Sequence, residues 1–197
     1  MSDPSSIFWE MSEEEYLRTE PGSPVKREFF GGYVYPLHGP TLAQAGASSR
    51  HGKLTLRIGA ALLSRSERTG CSVYVADMRV NATSPTGKRV YYYPDAVVTC
   101  EAMPDEATVC HEPRLLVEVL SPSTGHTDRT DKLWAYTSLP SLQTYLIVET
   151  SRRFVREIRR TEGGWEEVEL EGEGTIPLPC LNTTLTLDDI YAGVLDR

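Results

Sequence analysis

Apolar residues fall at helical spacing in the stretch from Thr41 to Arg68, where Leu54, Ile58, Ala61 and Leu62 share a face. This is the longest helix the pattern predicts. A second amphipathic segment runs from Thr127 to Ser138, with Leu133 and Tyr136 on one side. Dense Val and Leu runs predict strands at Cys71 to Asn81, Tyr92 to Cys100, Leu115 to Leu120 and Thr144 to Thr150. The second and third of these read as central strands covered on both faces. Phe154 to Arg160 and Trp165 to Leu170 predict an antiparallel pair turned at Gly163-Gly164, and Lys26 to Tyr35 predicts a hairpin about Gly31-Gly32.

End signals add two short helices. Ser12 with Glu15 three places on forms a capping box for a helix to about Thr19, which Glu20-Pro21-Gly22-Ser23-Pro24 breaks. Leu187 to Tyr191 carries acidic residues in a closing first turn. The predicted class is α/β (α+β), a mixed β-sheet flanked by helices with an added β-hairpin. The 197 residues fit one domain spanning 1–197, with 1–10 a disordered lead-in.

Composition changes the picture in three places. Apolar residues at 40% and charged residues at 24% are those of a globular chain. Twenty Lys and Arg against 28 Asp and Glu give a net charge of −8, which opposes indiscriminate binding to nucleic acid. The start lacks the basic and apolar parts of a signal peptide, and no run is long enough to span a bilayer, so a cytoplasmic location without membrane contact is expected. Cys71, Cys100, Cys110 and Cys180 form no CxxC pair, and four reduced thiols are expected.

The chemistry concentrates in two strands and a helix. Glu118 lies inside the apolar run Leu116 to Leu120, where an ionised carboxylate needs a metal, a lysine or a protonated neighbour beside it. Asp95, at the head of a neighbouring strand, can meet it at one end of the sheet. Two hard carboxylates with water and phosphate suit Mg²⁺ or Mn²⁺. Lys132 follows at the start of the next helix, where its ammonium can reach the pair; its blander reading is a helix salt bridge with Asp128. Glu28 is a third carboxylate or a solvated strand residue, and His51 a phosphate contact, a partner for Glu28 or an ordinary helix histidine. Asp77 is expected to pair with Arg79, and Ser121 and Ser123 to cap the following helix. No GxSxG elbow or GxxxxGK[ST] loop is present, which removes serine-hydrolase and P-loop readings.

Pro94-Asp95, the run Glu118-Val119-Leu120-Ser121-Pro122-Ser123-Thr124, and then Asp128, Lys132 and Tyr136 resemble the Uma-type restriction endonuclease family of the PD-(D/E)XK nuclease superfamily. The likeness extends to Glu28, His51, Asp77-Met78-Arg79-Val80 and Tyr145-Leu146-Ile147-Val148. It implies a restriction-endonuclease-like core and metal-dependent hydrolysis of phosphodiester bonds in DNA. It also implies Asp95, Glu118 and Val119 as ligands of Mg²⁺ or Mn²⁺, with Glu28 and His51 in support. Leu120 occupies the usual lysine position, so Lys132 is the catalytic lysine moved onto the helix. A homodimer would suit a double-strand cutter. The rival readings are a catalytically silent binding module of the same fold and a metal hydrolase of a smaller phosphoester, which the acidic charge favours.

Overall fold

The computed structural model describes residues 8–37, 48–120 and 126–195, leaving aside the side chains of 126–129. Strands are numbered in chain order. One six-stranded sheet has the order β1 (Trp9–Glu10), β3 (Tyr33–Pro36), β2 (Arg27–Phe30), β6 (Arg89–Tyr92), β5 (Arg79–Thr83), β8 (Val109–Cys110). The other runs β12 (Gly164–Glu171), β11 (Phe154–Thr161), β10 (Thr144–Glu149), β9 (Pro113–Leu120), β7 (Ala96–Thr99), β4 (Ser72–Val75). Each sheet is mixed: β5 and β8 pair in parallel in the first, β9 and β10 in the second. A two-stranded ribbon, β13 (Thr175–Leu178) and β14 (Thr183–Thr186), stands apart from both.

The expected class therefore holds, but the strands divide between two sheets. The reason lies in two local breaks. Ala76 and Asp77 adopt left-handed φ of 56° and 60°, which splits the predicted strand at Cys71 to Asn81 into β4 and β5. Tyr93-Pro94-Asp95 does the same between β6 and β7, and there the chain passes from the first sheet to the second. The expected Asp77–Arg79 pair is not made. Asp77 pairs with Lys26, while Arg79 binds the Thr108 hydroxyl at 2.6 Å and its carbonyl at 3.3 Å.

Four α-helices are found among the described residues. In α1 (Glu13–Thr19) the Ser12 hydroxyl accepts from the Glu15 N–H at 3.1 Å. α2 (Ser49–Ser66) starts at an N-cap Ser48; the expected extension over 41–47 lies outside the described residues. α3 (His126–Thr137) and α4 (Leu187–Tyr191) follow, the last held by a full capping box between Thr186 and Asp189. The Gly31-Gly32 turn has φ of 55° and 99°, which a residue with a Cβ adopts only under strain. Of the lead-in expected to be disordered, 1–7 lie outside the described residues, whereas Trp9–Glu10 pair with β3. Among the described residues no helix is long and apolar enough to cross a membrane.

Three apolar clusters separate these layers. Leu54, Ile58 and Leu62 of α2 pack with Val117, Val119, Leu146 and Val148 on one face of the second sheet. Tyr92, Leu116, Tyr136, Tyr145 and Ile147 fill the space between the two sheets and α3. Tyr16 of α1 packs with Phe29, Val34 and Tyr91 on the far face of the first sheet.

The four cysteines are not all reduced. Cys71 and Cys100 form a disulfide with Cα atoms 4.0 Å apart, while Cys110 and Cys180 are free. Ser72 and Thr99 are partners in the antiparallel β4–β7 ladder, so the next residues outward face each other. Thiol counting on the denatured protein checks this: two alkylatable cysteines without reductant and four with it. Four in both samples would show the pair to be unlinked.

Candidate active site

The site forms where the chain crosses between sheets. Ala96 and Val117 are partners across β7 and β9 and both point into the α2 core. Strand alternation then turns Glu118, the residue after Val117, towards the space between the sheets, while Asp95 lies just before Ala96 at the head of β7. Asp95 caps the end of β9: its Oδ2 accepts the Val119 N–H at 2.7 Å. Its Oδ1 lies 3.2 Å from His51 Nε2, which α2 presents from its first turn.

Glu28 comes to the same place from the other sheet. Phe30, two residues on in β2, packs against the core between the sheets, so Glu28 shares that face. Lys132 of α3 joins the two sheets: its Nζ lies 2.9 Å from Glu28 Oε1 and 3.4 Å from Glu118 Oε1. Its side chain is 8% exposed and each carboxylate 12%. The Tyr136 hydroxyl, one helical turn further, donates to Glu118 Oε1 at 3.0 Å. The Tyr93 N–H donates to Glu28 Oε1 at 3.4 Å, and the ammonium stands 5.4 Å from the Tyr92 ring centroid.

The five expected side chains are thus gathered in one place, as a His51–Asp95 pair beside a Glu28–Lys132–Glu118 bridge. Leu120 stands two residues after Glu118 on β9, and the ammonium beside that carboxylate comes from Lys132 of α3. Tyr136 is the addition, read from sequence only as an apolar helix position and part of the motif; its place four residues after Lys132 is the signal for it. Burial, then the charge of Glu118, hold its hydroxyl far above the ordinary tyrosine range, so it donates. The expected roles of Ser121 and Ser123 and the Asp128 salt bridge lie outside what the structure describes.

Among the described residues no group of three His, Cys, Asp or Glu side chains forms a metal cage. Two carboxylates are nevertheless a sufficient protein share for a hard cation that keeps water and phosphate in its shell. Asp95 and Glu118 are the oxygen donors that would hold Mg²⁺ or Mn²⁺ in that form.

His51 is shifted in a way that can be tested. Its pKa is raised from 6.5, chiefly by the hydrogen bond to Asp95, against burial, with the charges of Asp95 and Glu118 adding to the rise. A raised folded-state pKa stabilises fully below the unfolded value and is lost as pH rises through the folded one. In metal-free buffer, the parent should lose stability relative to His51→Gln as pH rises from below 6.5 through the raised folded-state value. Parallel denaturation midpoints across that range would remove the charged pair.

These two sheets, with a carboxylate pair at a strand end and a lysine beside it, define a restriction-endonuclease-like α/β protein. A crystal structure from Anabaena variabilis, described as "a putative nuclease belonging to DUF820", superposes with a TM-score of 0.71 at 17% identity, covering 94% of this chain and 99% of the other. The model of the Uma2 family, described as "Putative restriction endonuclease", matches residues 14–188, and the chain belongs to that family. Two uncharacterized proteins of Synechocystis sp. are similar along most of their length. One is 30% identical over 97% of this chain and 96% of its own, the other 29% identical over 81% and 86%.

Proposed function

We propose that the protein is a Mg²⁺- or Mn²⁺-dependent endonuclease that hydrolyses phosphodiester bonds in DNA. The observation that carries this reading is the Lys132 ammonium 3.4 Å from the Glu118 carboxylate, beside the strand end that holds Asp95. Asp95 and Glu118, with the Val119 carbonyl as third donor, would hold the ion. When bound, it supplies a Lewis acid for the phosphate and lowers the pKa of water.

The chain's own groups do the rest. Glu28 holds Lys132 on one side and Glu118 on the other, so the ammonium is fixed before substrate arrives. From there it orients the attacking water and faces charge developing on the phosphoryl oxygens. His51 keeps Asp95 turned towards β9, and Tyr136 does the same for Glu118. The direct test is incubation of plasmid and oligonucleotide DNA with Mg²⁺ or Mn²⁺, with and without chelator. Chelator-sensitive cleavage by the parent supports the reading; a parent that binds the ion yet cuts only a small phosphodiester would favour the smaller-phosphoester hydrolase.

A further inference from the structure

The first sheet continues the face of the site outward, and it does so with aromatic rings. Tyr35 is the β3 partner of Glu28, so it lies one strand from the residue that holds Lys132. Antiparallel partners share a face, and Val34 points the other way into the Tyr16 core. Tyr33 and Tyr35 therefore lie on the Glu28 side of the sheet. Phe8, just before edge strand β1, rests against both, with ring centroids 5.7 Å from Tyr33 and 5.5 Å from Tyr35.

Phe8 is 49% exposed and the two tyrosines are half-buried. The row is tied to the helix bearing Lys132: after burial and Tyr33, the charge of Asp131 on α3 is among the causes that raise the Tyr35 pKa. An acidic side chain borders the row. The Tyr33 hydroxyl lies 3.3 Å from Glu10 Oε1, and the whole chain carries −8. A surface of that kind cannot hold a duplex by its phosphates, whose density demands many lysines and arginines. It can hold bases, because every base offers a π-face whatever its sequence.

We infer that Phe8, Tyr33 and Tyr35 form a stacking platform for unpaired bases beside the scissile phosphate, so that the substrate is single-stranded or locally unpaired nucleic acid. The inference rests on the nuclease reading for its chemistry but on the aromatic row for its substrate class. Stacking supplies the affinity that the acidic surface withholds, and the strand of unpaired bases runs from the sheet edge inward past Glu28.

The test compares kcat/KM on a single-stranded oligonucleotide and on its duplex, for the parent, Phe8→Ala, Tyr35→Ala and Phe8→Trp. The parent should prefer the single strand. Each alanine variant should lose roughly tenfold on the single strand with little change on the duplex, and Phe8→Trp should restore the rate. A parent that prefers duplex, or alanine variants that leave the ratio unchanged, overturns the platform. Should the parent cut nothing, the platform is tested alone by fluorescence anisotropy with a labelled single-stranded oligonucleotide. Binding weakened in Phe8→Ala and restored in Phe8→Trp then supports the platform while the nuclease reading fails. No binding, or binding equal in all forms, overturns the platform independently of the chemistry.

Discussion

Glu118→Gln is expected to reduce metal-dependent DNA cleavage by about a thousandfold or more, with the fold retained. The amide keeps the shape of the side chain and an acceptor for the Tyr136 hydroxyl and the Lys132 ammonium, both within 3.4 Å of Glu118 Oε1. What it removes is the negative charge, which is the part a divalent ion needs. Calorimetric titration with Mg²⁺ on parent and variant separates binding from chemistry, and the thermal midpoint of each reports the fold. Parent-like cleavage by Glu118→Gln would remove the carboxylate from the mechanism. Loss of cleavage with intact ion binding would move Glu118 from ligand to positioning residue.

That the sequence points to Glu118 at all follows from burial. A carboxylate within Leu116-Val117-Glu118-Val119-Leu120 is too costly to be left unaccompanied, so its neighbours must be functional or paired. The companions were also readable, because Asp95 stands at the head of β7 and Lys132 in the helix that follows β9, although mid-helix and not at its start. The division into two sheets was not. Nothing in the apolar run from Cys71 to Asn81 marks Ala76 and Asp77 for left-handed backbone, since neither is glycine; the surrounding structure imposes it. The β13–β14 ribbon escaped notice for a related reason: Ile176, Leu178 and Leu185 are too few and too spaced by Pro and Thr to give a strand signal alone. The Cys71–Cys100 link depends on strand register, which the spacing of two cysteines does not contain. The aromatic row has the same origin, since Tyr35 meets Glu28 only once the hairpin register is set.

Lys132→Met should show how much of the fold leans on the site. The ammonium is buried and stands between two carboxylates that are each 12% exposed. Methionine fills a similar volume but leaves Glu28 and Glu118 facing one another without the positive charge between them. Removing one partner of a buried ion pair costs about 3–5 kcal/mol, much of it the penalty of the charge left behind. Equilibrium urea denaturation at neutral pH should therefore show a loss of that size, together with loss of cleavage. The double variant Lys132→Met with Glu118→Gln should recover part of the stability, because it also removes one of the two opposed charges, and it should recover no activity. This coupling is the informative quantity. A single-variant loss below about 1 kcal/mol would mean that water already screens the bridge. Additive losses in the double variant would mean that Lys132 is held by Glu28 alone. Partial recovery of stability without activity would show that the opposed charges of Glu28 and Glu118 cause part of the loss.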